Sequence, residues 1–211
     1  MPIDSIAFFG DSFCADFHDS YIQDLSKDYN ILNMGEHGTG INFATEQLRE
    51  FLTKNKEIDN IFFVLSNSAS IRKQVLHENG ERPMPFSSDN AGLEDFSDQF
   101  RSAIRLYEIY IQNDSEDKRN YINGMEAQQW LIHKFNIKNY KKFFCFKHEA
   151  VTYNKPFNFY YNNIEFTNLY DFSCYFEHKA PSILEYKNHF SPEGNKAMAS
   201  IIREAINEYS N

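Results

Sequence analysis

Short runs of large apolar residues, each closed by a polar or glycine-containing turn, constrain this sequence more than any other feature. The three clearest runs are Ile6–Phe9, Ile61–Leu65 and Phe143–Phe146. Continuous apolar runs of this length are typical of strands that are buried on both faces of a parallel sheet. Such a sheet needs cover on both faces, so the stretches between the runs must supply helices.

Apolar residues at helical spacing occupy most of these intervening stretches. The spacing predicts helices over 16–27, 41–55, 100–112, 121–135 and 192–209, and two shorter apolar segments predict strands over 29–33 and 163–166. Ser191 is a favourable N-cap for the last helix, and Pro192 is a favourable first helical residue. The alternation predicts an α/β fold with a doubly wound, mostly parallel sheet of about five strands, right-handed crossovers and flanking helices.

Length and composition favour one domain with a full core. The chain has 211 residues, of which 42% are hydrophobic and 17% aromatic, and it shows neither an internal repeat nor a linker. We therefore predict a single domain over 1–211. Two stretches lack regular periodicity: a surface insertion at about 77–98 and an irregular aromatic-rich segment at about 147–180. Long loops of this kind often form functional rims or lids.

Charge, cysteine content and the distribution of apolar residues argue against several classes of partner. The net charge of −9 disfavours nucleic acid and anionic membrane surfaces. Cys14, Cys145 and Cys174 lack metal-ligand spacing and are expected to be reduced thiols. The first residues lack a signal-peptide pattern, and no apolar run approaches the ~20 residues of a membrane span, so a cytoplasmic or otherwise intracellular location is expected. The histidines are scattered, so we expect no metal and no other cofactor.

Three of the predicted strands end in residues that suit a chemical site. Ser12 follows the first strand, the loop Gly35–Gly40 follows the second, and Asn67 follows the third. The carboxyl ends of parallel strands share one edge of the sheet, where ligands bind in open α/β folds. A serine at that edge can be a nucleophile if a base reaches it and amides face the oxyanion. His189, just before the last helix, is the candidate base.

Each of these residues also has an ordinary interpretation. Ser12 alone suits a helix cap, Asn67 alone a turn, and His189 alone a surface or capping position. The glycine-rich loop alone is compatible with a phosphate-binding turn. Its Gly-x-x-Gly-x-Gly spacing, however, differs from the dinucleotide pattern Gly-x-Gly-x-x-Gly, and no ribose-binding acid is evident. Only the combination of all four favours catalysis.

That combination resembles the SGNH (GDSL) hydrolase family. Gly10-Asp11-Ser12 matches the first motif block, and Asn33-Met34-Gly35-Glu36-His37-Gly38 matches the second. Asn67 matches the third block, and His189-Phe190-Ser191-Pro192-Glu193-Gly194 matches the last. The blocks occur in the family's order and span almost the whole chain. The resemblance implies a three-layer SGNH or flavodoxin-like sandwich.

The resemblance also implies a metal-independent serine esterase. Ser12 would be the nucleophile and His189 the base, while the amides of Ser12 and Gly38 and the side chain of Asn67 would form the oxyanion hole. Asp11 would be a structural hydrogen-bonding residue of the turn. The family's range favours a small acyl ester, such as an O-acetyl group on a carbohydrate, so a small-molecule or glycan ester is the expected partner.

The third member of the catalytic set stays open at this point. The family usually has Asp three residues before the histidine, and this chain has Tyr186 there. Glu185 is the first candidate to replace it, and Asp171 or a backbone carbonyl are alternatives. The third block also departs from the family's Gly-x-Asn-Asp, since this chain has Leu65-Ser66-Asn67-Ser68. These departures motivate a second hypothesis, a binding or structural protein of the same fold that has lost catalysis.

Other chemistry-bearing residues have simpler expected roles. Cys14, two residues after Ser12, is expected to be a buried packing thiol. His37 either lines the pocket or is structural. The aromatic cluster Phe157–Tyr161 either packs in the core or stacks on sugar rings, and packing is the commoner case.

Overall fold

The computed structural model describes residues 2–14, 20–36, 39–68, 73–76, 83–86, 114–145, 157–176 and 190–210. At 73–76, 83–86, 114–117 and 210 the backbone alone is described. The helices and strands of these residues are, in chain order, β1 (Ser5–Phe9), α1 (Tyr21–Leu25), β2 (Asn30–Asn33), α2 (Ile41–Lys54), β3 (Ile61–Asn67), β4 (Lys73–Leu76), β5 (Pro83–Phe86), α3 (Asp114–Lys134), β6 (Tyr140–Phe144), β7 (Phe159–Tyr161), β8 (Ile164–Phe166), α4 (Leu169–Tyr175) and α5 (Pro192–Ser210).

Four strands form one parallel sheet in the order β2-β1-β3-β6. The register pairs Phe9 with Leu65 and Asn67 with Phe144, so the carboxyl ends of these strands lie at the same edge. The predicted doubly wound α/β fold is confirmed. The described part of the chain supplies four strands to this sheet, where the sequence indicated about five.

Hydrophobic cores cover both faces of the sheet, and side chains of β3 alternate between them. Phe62 and Val64 pack with α1, α5 and the segment from β7 to α4. Phe63 and Leu65 pack with α2 and α3. Burying a side chain of this size contributes about 1.5–3 kcal/mol. Because both faces are covered, β3 is apolar at successive positions instead of at every second one.

The first helix is described over a shorter range than the sequence predicted. α1 begins after Ser20, whose side chain accepts a hydrogen bond from the backbone of Gln23, and it ends at Leu25. Positions 16–19 of the predicted helix lie outside the described residues. The whole predicted helix over 100–112 also lies outside them.

The start of α3 corrects the sequence-based prediction. The helix was predicted over 121–135, after the charged stretch 113–118, but α3 already begins at Asp114. Charge alone does not favour a loop, because Glu, Lys and Arg have high helix propensity. Glu116, Lys118 and Arg119 are therefore compatible with the helix that the structure has from Asp114 onward.

Part of the predicted irregular insertion at about 77–98 is a strand. β5 pairs with β4 in an antiparallel hairpin outside the main sheet. Pro83 and Pro85 made this segment look like a loop. In a two-stranded ribbon, however, each strand keeps one unpaired edge, and proline without its N–H can be accommodated there. The rest of the predicted insertion lies outside the described residues.

The aromatic-rich segment predicted as irregular contains a hairpin and a helix. β8 confirms the strand predicted near 163–166, while β7 and α4 were not predicted. The two-residue turn between β7 and β8 has Asn162 at φ 49° and Asn163 at φ 64°. Consecutive asparagines with positive φ are typical of tight hairpin turns, so the sequence signal for this hairpin was present. Phe159 is buried in ring contacts with Phe143 and other core phenylalanines, which confirms packing as its role.

Candidate active site

The turn after β1 lies unusually close to the end of β3. Gly10 has a φ of 156°, and a Cβ at this position would lie 2.2 Å from the Ser66 hydroxyl oxygen and 2.5 Å from the Ser66 carbonyl oxygen. Only glycine accepts both the dihedral and the approach. The close approach of two neighbouring strands therefore requires glycine at position 10, directly before Asp11 and Ser12.

Asp11 is buried and joins three parts of the sheet edge. Its Oδ1 accepts hydrogen bonds from the Phe13 backbone N–H at 3.1 Å, the Ser66 hydroxyl at 3.1 Å and the Cys145 thiol at 3.3 Å. These donors come from the turn itself and from the ends of β3 and β6. Asp11 therefore has the structural role expected from the sequence, and it holds the turn that carries Ser12.

The second loop is bonded directly to the first turn. The Gly10 carbonyl accepts a hydrogen bond from the Glu36 backbone and another from the Thr39 hydroxyl, each at 3.0 Å. A Cβ on Gly35 would lie 2.5 Å from the Cys14 carbonyl oxygen, so this glycine too is required by a close approach. Gly38 and His37 lie outside the described residues, between the two residues that bond to Gly10.

Asn67 ends β3 as a fully buried side chain. Its Oδ1 accepts a hydrogen bond of 2.8 Å from the Gln128 side-chain amide of α3. Its Nδ2 is buried and has no hydrogen-bond partner among the described residues. The following residue, Ser68, accepts a hydrogen bond from the first backbone N–H of α2 through its carbonyl. A buried amide donor without a partner is uncommon and calls for an explanation.

Ser12 and Cys14 lie two residues apart in the first turn and differ in their chemistry. Ser12 is 3% exposed, and Cys14 is fully buried. Burial raises the pKa of the Cys14 thiol to about 12, so the thiol is protonated at neutral pH. Because the thiolate is the reactive form of cysteine, Cys14 is a packing residue, as expected.

The last motif block is described from Phe190 onward. Ser191 caps α5 by accepting a hydrogen bond of 3.1 Å from the Gly194 backbone, which confirms its predicted role, and Pro192 is the first helical residue. Asn195 accepts a hydrogen bond from the Tyr21 backbone and donates one to the Phe190 carbonyl. His189 and Glu185 lie outside the described residues.

The structure brings Ser12 and Asn67 to one edge of the sheet through the bonds around Gly10 and Asp11. Asp171, an alternative third member, is exposed, and its carboxylate accepts a hydrogen bond from Asn168, whose side chain caps α4 in return. It thus serves as a helix-capping residue. Sequence reasoning missed Gln128, although a polar residue at helical spacing between Met125 and Leu131 was a usable signal.

Comparison with known proteins gives matches at the level of structure. No family profile and no curated protein matches the sequence. A member of the lipolytic protein G-D-S-L family from Veillonella parvula DSM 2008 is similar, with a TM-score of 0.38 and 12% identity over 95% of this chain and 96% of that chain. The lipase/acylhydrolase from Enterococcus faecalis is similar with a TM-score of 0.33 and 15% identity over 98% and 97%. Because both TM-scores and both sequence identities are low, the function proposed below is argued from the residues of this chain.

Two wider features of the described residues bear on the predicted partners. None of the described helices is both long and apolar enough to span a bilayer. Within the same residues, no cluster of three or more His, Cys, Asp or Glu side chains has the arrangement of a metal site. The expectation of a site that works without metal or cofactor stays a prediction.

Proposed function

We propose that this protein is a serine ester hydrolase that uses Ser12 as its nucleophile and His189 as its base. The observation that supports the proposal best is the buried Nδ2 of Asn67, which has no hydrogen-bond partner among the described residues and lies at the sheet edge where β3 is bonded to the turn carrying Ser12. An ester oxygen that gains negative charge during attack is the acceptor such a donor needs. The unsatisfied amide then has a function that offsets its cost to stability.

The proposed reaction has two steps. Ser12 Oγ attacks the ester carbonyl carbon while His189 takes the hydroxyl proton, and the resulting oxyanion is bound by the N–H groups of Ser12 and Gly38 and by Asn67 Nδ2. The oxyanion collapses, and the alcohol leaves with the proton from His189. Water, deprotonated by His189, then attacks the acyl-enzyme, and the acid and free Ser12 are released.

The group that orients His189 is proposed to be Glu185 or a backbone carbonyl. Asp171 is a weaker candidate, because its carboxylate is engaged at the start of α4. Tyr186 stands where the family usually has the acid. In a serine-protease triad, replacing the acid by its amide costs ~10⁴ in rate, so the identity of this partner matters for the rate.

A small acyl ester, with an O-acetyl group on a carbohydrate as the first choice, is the proposed substrate. This choice comes from the family resemblance of the four motif blocks. Esters of different acyl length, assayed with the same alcohol, would define the acyl group: a fall in kcat/KM from acetyl to octanoyl supports the choice, and the reverse order contradicts it.

A fluorophosphonate probe, read by intact mass, tests the proposed nucleophile. The wild-type protein should gain the mass of one adduct, and Ser12→Ala and His189→Ala should not. Ser191→Ala is a suitable control, because it removes a serine hydroxyl that caps α5 and should leave labelling intact. Labelling of Ser12→Ala to the wild-type extent would show that another residue reacts.

A binding protein without catalysis is the second candidate, favoured by Tyr186 at the position of the usual acid. It predicts that folded wild-type protein is not labelled and hydrolyses no ester of the series. Binding of acetylated and non-acetylated oligosaccharides, measured by calorimetry, would then separate a carbohydrate-binding protein from one with another role.

A further inference from the structure

Gln128 is a fully buried polar residue on the face of α3 that meets the sheet. Its Nε2 donates to Asn67 Oδ1 at 2.8 Å, and its own Oε1 is buried without a hydrogen-bond partner among the described residues. An unsatisfied buried polar atom lowers the stability of the folded protein. A pair of apolar side chains would avoid this cost, so the amide pair is not explained by stability alone.

The two strand-end polar residues of β3 point to different partners. The Ser66 side chain bonds to Asp11, at the turn after β1, and the Asn67 side chain bonds to α3. Successive side chains of a strand face opposite sides of the sheet, which accounts for this division. Asn67 is consequently oriented by α3 and not by the turn that carries Ser12.

α3 is well placed to hold that orientation. One helical turn before Gln128, Gly124 lets α3 approach α2 closely: a Cβ there would lie 2.7 Å from Ile41 Cγ1. Tyr121 and Met125 pack in the same small core with Ile41 and Phe144. Gln128 therefore sits on a helix that packs against the end of β6 and the start of α2.

A side-chain amide has a donor side and an acceptor side, and its rotation decides which faces a ligand. A hydrogen bond donated into Asn67 Oδ1 uses the acceptor side and leaves Nδ2 for another partner. The reversed rotation would present an oxygen to a developing oxyanion and repel it. Loss of one donor of an oxyanion hole typically costs ~10²–10³ in kcat.

We propose that Gln128 is a positioning residue that fixes the amide of Asn67 with its donor available to the oxyanion. The inference depends on the proposed esterase function, which assigns Asn67 to the oxyanion hole. Gln128 acts through Asn67, so its loss should act on kcat and leave KM little changed.

Substitutions of Gln128 in the full-length protein test the assignment, with p-nitrophenyl acetate as the probe. Gln128→Glu introduces an ionised carboxylate that can only accept, so Asn67 should rotate and donate Nδ2 to it. We expect kcat to fall by roughly 10²–10³. Gln128→Met removes the donor without imposing the reverse bond, and a smaller fall is expected. Gln129→Glu, the same change at the neighbouring helix position, should leave kcat unchanged.

The pH dependence gives a readout that a merely structural role would not move. When the introduced carboxyl is protonated, it can donate to Asn67 as glutamine does. The ratio of wild-type kcat to Gln128→Glu kcat should therefore rise with pH as the carboxyl ionises. Combining Gln128→Glu with Asn67→Ala should cost no more than Asn67→Ala alone, because both changes remove the same donor.

The outcomes separate this inference from the proposed function. A folded wild-type protein with neither turnover nor fluorophosphonate labelling overturns the esterase proposal and the role of Gln128 with it. An active wild type with Gln128→Glu at equal kcat overturns the role of Gln128 alone, since it would mean that Asn67 donates toward α3. If Gln128→Glu does not fold, Gln128→Met, Asn67→Ala and the double variant replace it. Losses of kcat that multiply in the double variant would overturn the positioning role of Gln128, and a double variant no slower than Asn67→Ala would support that role.

Discussion

Phe190 packs against Phe13 with ring centroids 5.4 Å apart and an interplanar angle of 65°. These phenylalanines directly follow His189 and Ser12 in the chain. The side-chain hydroxyl of Tyr21 donates to the Phe13 carbonyl at 2.8 Å, and the Phe190 ring also contacts the Tyr21 ring. The contact thus joins the first and last motif blocks, which are far apart in the sequence, through buried aromatic packing.

Phe190→Leu should impair catalysis more than stability. Leucine keeps an apolar side chain at this buried position but loses the edge-to-face contact with Phe13, so we expect a loss of about 1–2 kcal/mol in the free energy of unfolding. Displacement of a catalytic group by ~1 Å can cost ~10² in rate, and we expect kcat to fall by roughly ten- to a hundredfold. Urea unfolding and ester hydrolysis measure the two effects.

Phe62→Leu is the matched control for Phe190→Leu. Phe62 is equally buried on β3 but lies five residues before Asn67, which is about 16 Å along a strand. It should lose similar stability and keep wild-type kcat. Equal losses of kcat in the two variants would mean that Phe190 has no special relation to the site.

Gly10→Ala should destabilise the protein strongly. The substitution places a Cβ against both the hydroxyl and the carbonyl oxygen of Ser66 and requires a φ that alanine rarely adopts. We expect a loss of roughly 2–4 kcal/mol, from backbone strain and overpacking together. Urea unfolding monitored by circular dichroism would measure it.

Two further variants separate the causes. Adding Ser66→Ala to Gly10→Ala removes the clash with the hydroxyl and leaves the clash with the backbone oxygen, so only part of the stability should return. Gly194→Ala is the control, because a Cβ in the first turn of α5 would meet its neighbours only at an ordinary 3.5 Å. If Gly194→Ala lowers the free energy of unfolding as much as Gly10→Ala does, the close contacts and the dihedral of Gly10 are not the cause of the destabilisation.

The sequence predicted the fold well where one physical effect dominated. Ile6–Phe9 and Ile61–Leu65 are apolar at every position because both faces of their sheet are covered, and their shortness and closing turns favoured strands over buried helices. Prediction failed where two effects competed. Over 114–118 the charged residues suggested a break, but the high helix propensity of residues such as Glu and Lys is compatible with α3, which includes these positions.

Only the part of the candidate site that lies at strand ends was predictable from the sequence. Glycines and polar residues after strands point to the sheet edge, and Ser12 and Asn67 became candidates there only in combination with the glycine-rich loop and His189. Gln128 was not identified: helical spacing marks it only as a polar residue between Met125 and Leu131, and its contact with Asn67 depends on how α3 packs against the sheet. Side chains that orient others are harder to find than those that end strands.

Thiol labelling should separate the cysteines by burial. Cys174 is exposed, whereas Cys14 and Cys145 are buried. In native protein at pH 7.5, N-ethylmaleimide should add once, at Cys174, and Cys174→Ser should gain no adduct. In urea the wild type should gain three. Intact mass and peptide mapping provide the measurement, and a native adduct on Cys14 would contradict the burial and raised pKa of that thiol.

Stability should decrease at alkaline pH, with Cys14 as one of the causes. Burial raises the pKa of the Cys14 thiol to about 12, whereas an unfolded cysteine titrates near its ordinary value of ~8.5. Between these values the unfolded state binds fewer protons than the folded state, so the free energy of unfolding falls as pH rises. Below ~8.5 both states are protonated and this contribution is constant. Tyr21, whose pKa burial raises well above its usual range, adds to the fall above ~10.

Urea unfolding at intervals from pH 7.5 to 10.5 measures this dependence. Cys14→Ala should lower the stability at neutral pH and flatten its decline between pH 8.5 and 10, because the titrating group has gone. Cys174→Ala, which removes an exposed thiol, should keep the wild-type slope. An unchanged slope in Cys14→Ala would mean that other groups cause the alkaline decline. A flattened slope would show that the Cys14 thiol has a higher pKa in the folded than in the unfolded state, as its burial implies.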